Sequence, residues 1–102
     1  MAIWPHVAHL FAGALTCNAI PHLANGLSGR PFPTPFARPP GVGLSSSSVN
    51  VLWGSANALV GAGLLLRFPI ATPLEAGGAL FAAGFVLLGL YLSRRFSDRI
   101  PK

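Results

Sequence analysis

Three long apolar runs divide the chain. The first extends from Ile3 to about Leu27, the second from Val49 to Leu66 and the third from Pro73 to Leu92. A helix that crosses the hydrocarbon core of a bilayer needs about 20 predominantly apolar residues, with a range of about 17–25. All three runs meet that length, the second near its lower limit. Only helices and closed barrels satisfy their backbone polar groups inside lipid. The runs lack the strict apolar–polar alternation of barrel strands. The pattern therefore predicts an all-α integral membrane bundle, one domain over residues 1–102. It has transmembrane helices at about 3–27, 49–66 and 73–92, a Pro-rich cytoplasmic loop at 28–48 and a basic tail at 93–102.

Composition strengthens this reading. The 102 residues are 52% hydrophobic and only 9% charged, whereas a soluble domain carries about 25% charged residues. Met1-Ala2-Ile3-Trp4-Pro5 has no basic n-region, so the first run is expected to stay as a helix rather than be cleaved as a signal peptide. Trp4 suits a membrane–water boundary, and Pro5 suits a first helical turn, where its missing N–H costs nothing.

Charge placement orients the bundle. Arg30 and Arg38 lie between the first two runs, and Arg94, Arg95, Arg99 and Lys102 follow the third. Only Arg67 lies between the second and third. Basic loops stay in the cytoplasm, so the N-terminus is expected outside and the long loop and C-terminus inside, in a bacterial inner membrane. A basic cytoplasmic edge attracts anionic headgroups, which makes membrane lipids expected partners. Nucleic acid is excluded as a partner, because there is no soluble basic domain and the aromatics lie mainly in apolar runs.

No diagnostic catalytic motif is present. Glu75 is the one acidic residue near an apolar run, and Thr72-Pro73-Leu74-Glu75 reads as a capping box. That reading removes the main argument for a proton path. His6, His9 and His22 all fall in the first helix. A haem held between two histidines needs them on opposite sides of the porphyrin, so a single copy does not supply both ligands. His6 and His9, three apart, are weak metal candidates without a nearby carboxylate. Haem or quinone remains an alternative cofactor, and no cofactor is the expectation.

The polar residues within the runs are more informative. Asn18, His22 and Asn25 recur at steps of four and three, which places them on one face of helix one. Asn50 and Asn57 start from the same side on helix two. These five form the expected interhelical hydrogen-bond cluster or, alternatively, a ligand pocket. Small residues mark close-packing faces: Ala8 with Ala12 and His9 with Gly13 on helix one, Gly54 with Gly61 on helix two, Gly77 with Gly84 on helix three. Gly78 with Ala82 and Gly89 makes a comparable strip, so helix three has small residues on more than one side, and some of that surface is expected to meet another chain.

Between helices one and two, Pro31, Pro33 and Pro35 exclude helix and favour extended backbone. The loop is therefore expected to be ordered and to lie along the membrane surface. Phe32 and Phe36 would dip toward the interface, with Arg30 and Arg38 at phosphates, making these four residues a partner-docking element. The function expected from these features is a small non-enzymatic accessory or assembly subunit of a larger membrane complex, or a homo-oligomer. A quinone-, haem- or lipid-binding redox protein or enzyme using the helix-one histidines is the alternative, and a small oligomeric transporter the second. With Cys17 replaced by serine, single cysteines at Ala2 and Lys102 should react with an impermeant maleimide from opposite faces of sealed vesicles. Labelling from the same face would refute three crossings.

Overall fold

The computed structural model describes residues 2–72 and 75–97. Three helices account for most of it: α1 at Trp4–Leu27, α2 at Ser47–Arg67 and α3 at Ala76–Ser97. Each is long and apolar enough to cross a membrane. At 1.5 Å per residue they measure roughly 32–36 Å, against about 30 Å for a hydrocarbon core. Two short strands, β1 at Phe32–Pro33 and β2 at Leu44–Ser45, pair antiparallel within the α1–α2 connection, with Phe32 opposite Ser45.

Local chemistry sets the helix ends. Pro5 sits in the first turn of α1, which runs unbroken through Pro21 to Leu27. Its C-terminus closes on a Schellman pair: Gly29 N–H donates to Gly26 O (3.1 Å) and Arg30 N–H to Asn25 O (2.9 Å). Gly29 takes φ +75°, a left-handed conformation that glycine adopts without steric cost. At the start of α2 the Ser46 hydroxyl accepts from Val49 N–H at 3.2 Å, a conventional N-cap. This start lies two residues earlier than the apolar run implies.

The third helix departs most from its expected span. It begins at Ala76 rather than Pro73 and continues to Ser97 rather than Leu92. Pro73 and Leu74 lie outside the described residues, and so does the centre of the expected capping box. Glu75 is not a third-turn-position cap within the helix; it immediately precedes the helix, and its carbonyl accepts from Ala79 N–H. At the other end Arg94 and Arg95 belong to the last helical turn, not to a tail. Cations there complement the negative end of the helix dipole, which offsets the loss of apolar character that marked the run's end.

The centre of the fold is α1. Both other helices pack along it, whereas α2 and α3 scarcely meet among the described residues. The contacts are backbone-close. A Cβ added to Gly84 would fall on the carbonyl oxygen of Leu10, and one added to Gly13 on that of Phe81. On the other side of α1, a Cβ on Gly54 would meet the Leu23 side chain at 2.7 Å. The interior is accordingly made of small side chains such as Ala8, Ala12 and Ala19, and its largest fully buried side chains are Asn50 and Thr34. Leu, Val and Phe side chains point outward instead, including Leu52, Leu59 and Leu66 on α2 and Val86, Leu87 and Leu90 on α3. This inversion is compatible with an integral membrane protein.

Gly84→Leu should therefore separate α1 from α3 and lower the unfolding midpoint in detergent, at a cost of about 1–3 kcal/mol or more. Gly63, which has no atom within 4 Å of an added Cβ, should accept Gly63→Ala with an unchanged or slightly raised midpoint. Circular dichroism melts of both variants provide the check.

Candidate functional site

The polar centre of the molecule is one amide. Asn50, in the first turn of α2, is 0% exposed. Its Nδ2 donates to Phe32 O (3.0 Å), Ser45 O (3.2 Å) and Ser46 O (3.0 Å). Its Oδ1 therefore faces α1, where it accepts from His22 Nδ1–H at 2.7 Å. That assignment fixes the histidine: with the proton on Nδ1, the neutral ring keeps its Nε2 as an acceptor. One side chain thus joins α1, the start of α2 and the ends of both strands.

The remaining members of the asparagine face pair separately. Asn18 Nδ2 donates to Asn57 Oδ1 at 3.1 Å, and Asn57 Nδ2 donates back to Trp53 O at 2.8 Å within α2. Asn25 donates to Pro21 O (2.8 Å) and accepts from Arg30 Nε (3.2 Å). The five residues therefore form two interhelical links, His22–Asn50 and Asn18–Asn57, with Asn25 holding the helix end and Arg30. Proximity on one helical face brought them to the same side; the separate pairing follows from where α2 crosses.

The loop is folded back on the helices rather than spread outward. Phe32, expected at an interface, is 8% exposed. Its ring lies 5.4 Å from His22, edge-on, and 4.8 Å from Phe96 of α3. The reason is β1: alternate strand residues face opposite sides, and the Phe32 carbonyl must reach Asn50. Arg30 is likewise drawn to Asn25. Phe36 and Arg38 do remain exposed, Phe36 with its ring edge-on to Trp53 at 5.1 Å. Thr34 organises the turn. Its carbonyl accepts from Ala37 N–H (3.1 Å) and Gly41 N–H (2.8 Å), and its hydroxyl pairs with that of Ser45 at 2.5 Å.

A cavity of about 130 Å³ opens beside this network, between α1, α2, α3 and the loop. His22 and Asn18 form its α1 wall, Trp53 its α2 wall, and Tyr91, Arg95 and Phe96 its α3 wall. Arg95 Nη2 donates to Gly41 O at 2.7 Å. Gly41 has φ +70°, and an added Cβ would stand 2.8 Å from that guanidinium, so this position requires glycine. Thr34, Trp53, Tyr91, Arg95 and Phe96 were not singled out from the sequence. The two on the last turn of α3 fell beyond its expected end, and no sequence pattern marked Thr34, Trp53 or Tyr91.

The two other histidines occupy the opposite end. His9 is 6% exposed. Its Nε2–H donates to Phe68 O at 2.7 Å, satisfying a carbonyl left over at the end of α2. Its Nδ1 is enclosed without a partner, against Gly77 of α3, and so is His6 Nδ1. Among the described residues no group of three histidine, cysteine or acidic side chains converges on a metal position.

No protein-family model, curated protein or solved structure matches the chain. Function must therefore be read from the geometry itself.

Asn50→Leu leaves the buried His22 N–H without its acceptor and removes the amide donor from the Phe32, Ser45 and Ser46 carbonyls. It should cost on the order of 3 kcal/mol, against about 1 kcal/mol for Asn57→Leu. Chymotrypsin should then cleave after Phe36 faster in the first variant and at the wild-type rate in the second. Equal cleavage in both would refute the role given to Asn50.

Proposed function

We propose that this protein is a small, non-enzymatic integral membrane protein of three crossings that serves as an accessory or assembly subunit. Its partner is a second membrane chain, or a further copy of itself, seated on α3. One observation carries the reading. The most apolar of the three helices is also the least covered: 11% of the apolar stretch of α3 is buried, against 39% for α1. Gly84 is its one buried residue among those described.

The uncovered side of α3 is built for a close neighbour. Ala79, Ala82, Val86 and Leu90 follow one another at steps of three and four and are exposed. Small side chains in the upper half let another helix approach closely, and larger ones follow below. A helix that faced only lipid has no need of that taper. The asparagines nearest the centre are already engaged with His22 and with each other, which favours a scaffold over a reaction site. Phe36 and Arg38 supply a further exposed contact at the loop end. Basic residues gathered at that end support a cytoplasmic loop and an outside N-terminus, as in a bacterial inner membrane.

Native mass spectrometry after extraction in mild detergent should find the chain with a stoichiometric companion or as a defined homo-oligomer. Ala79→Leu with Ala82→Leu should abolish that association while leaving helix content and the melting curve unchanged. A wild-type protein that runs as a monomer under the mildest extraction would overturn the proposal.

A further inference from the structure

The cavity beside Asn50 has one wall residue, Tyr91, in common with a second feature. An apolar groove of about 310 Å³ runs between Phe11 and Ala14 of α1 and Gly84, Leu87 and Leu88 of α3, and it ends at Tyr91. Tyr91 also lines the cavity containing His22 and Arg95. From Gly84 to Arg95 the helix rises about 16 Å. That is close to half of a ~30 Å hydrocarbon core, the depth of a single leaflet. The track is apolar along the helices and polar where it reaches the loop.

The polar end presents a definite pattern. His22 is 5% exposed, and Asn50 commits its Nδ1–H. Among the described residues its Nε2 makes no hydrogen bond, and it is not one of the enclosed polar atoms. It is thus an acceptor awaiting a donor. Arg95 spends one N–H on Gly41 O, and a guanidinium has five. Arg30, Arg38 and Arg94 stand at the same end of the bundle. Glu75, the one carboxylate among the described residues, stands at the other. A fitting ligand has an apolar chain, an anionic group for Arg95 and a hydroxyl to donate to His22. At roughly 30 Å³ per water in the liquid, about 130 Å³ has room for a phosphate with a few further atoms.

We propose that this track is a site for one anionic phospholipid whose headgroup carries a hydroxyl, of the phosphatidylglycerol kind. An acyl chain lies in the α1–α3 groove. The phosphate meets Arg95, and a headgroup hydroxyl donates to His22 Nε2. A choline headgroup offers no donor to the histidine and sets a cation beside Arg94 and Arg95. An ethanolamine headgroup offers the donor but keeps the cation. The expected order is therefore phosphatidylglycerol, then phosphatidylethanolamine, then phosphatidylcholine. This site rests on the membrane reading above but is independent of the partner on α3.

The test uses the full chain, extracted in mild detergent, stripped of lipid and titrated in native mass spectrometry. The probes are the three phospholipids and, separately, glycerol 3-phosphate. One phosphatidylglycerol should be retained in preference to phosphatidylcholine, and glycerol 3-phosphate should not be retained, because it has no chain for the groove. Arg95→Gln should weaken retention about fivefold, the effect of one basic residue near an anionic surface. Arg94→Gln, on the exposed side of the same turn, should weaken it less, and Leu87→Gln should weaken it through the groove. The site is refuted by equal retention of the phospholipids, by equal effects of the two arginine variants, by retention of glycerol 3-phosphate alone, or by a stoichiometric quinol in place of lipid. Release of the protein from membranes by alkaline carbonate without detergent would instead refute the membrane reading itself.

Discussion

A buried primary amide must fill both its donor and its acceptor capacity, and the loop end of this protein is arranged around that requirement. Asn50 does so with four partners drawn from three parts of the chain. A carboxylate would repel the three carbonyls, and a leucine would leave the His22 N–H without its acceptor. The amide alone combines an acceptor for His22 with donors for β1, β2 and the start of α2. Because those strands are only two residues long, they have little pairing of their own, and the side chain supplies the missing anchorage. Phe32 is drawn inward by the same link, and its ring then gives the end of α3 something to pack against.

Elsewhere the governing constraint is distance. With its interior made of alanine and glycine, the bundle gains contact by bringing backbones together, not by interleaving large side chains. In this bundle α1 is the helix approached that closely from two sides. The consequence is an open arrangement. With α2 and α3 each committed to α1, their outer sides remain apolar and uncovered, and the space between α1 and α3 persists as a groove. Both functional proposals arise from this geometry: a partner on the free side of α3 and a lipid in the groove that ends at Tyr91.

The two ends of α1 treat histidine in the same way. His9 donates to the last carbonyl region of α2 and His22 to the side chain at its beginning. Each ring settles a polar group created by a helix terminus, so the histidines that looked most like cofactor ligands act first as fasteners between helices. His22 differs in leaving its second nitrogen accessible to a cavity, whereas the second nitrogen of His9 is enclosed.

Length and apolarity were enough to read the three helices, because crossing-length apolar segments need no partner to define them. Four- and three-residue steps were enough to group Asn18, His22 and Asn25, since helix geometry is local. The caps at Ser46 and Gly29 are local in the same sense, since they depend on neighbours in sequence. The extension of α3 to Ser97 was not, because Arg94 and Arg95 resemble a tail until the helix dipole and the Gly41 carbonyl engage them. Nor was the inward turn of Phe32, which depends on an asparagine 18 positions away. What the chain determines by itself is thus its elements and their polar faces, through forces that act within a few residues. Which amide meets which ring, and where a cavity is left between helices, is decided only when backbones separated by tens of residues come into contact.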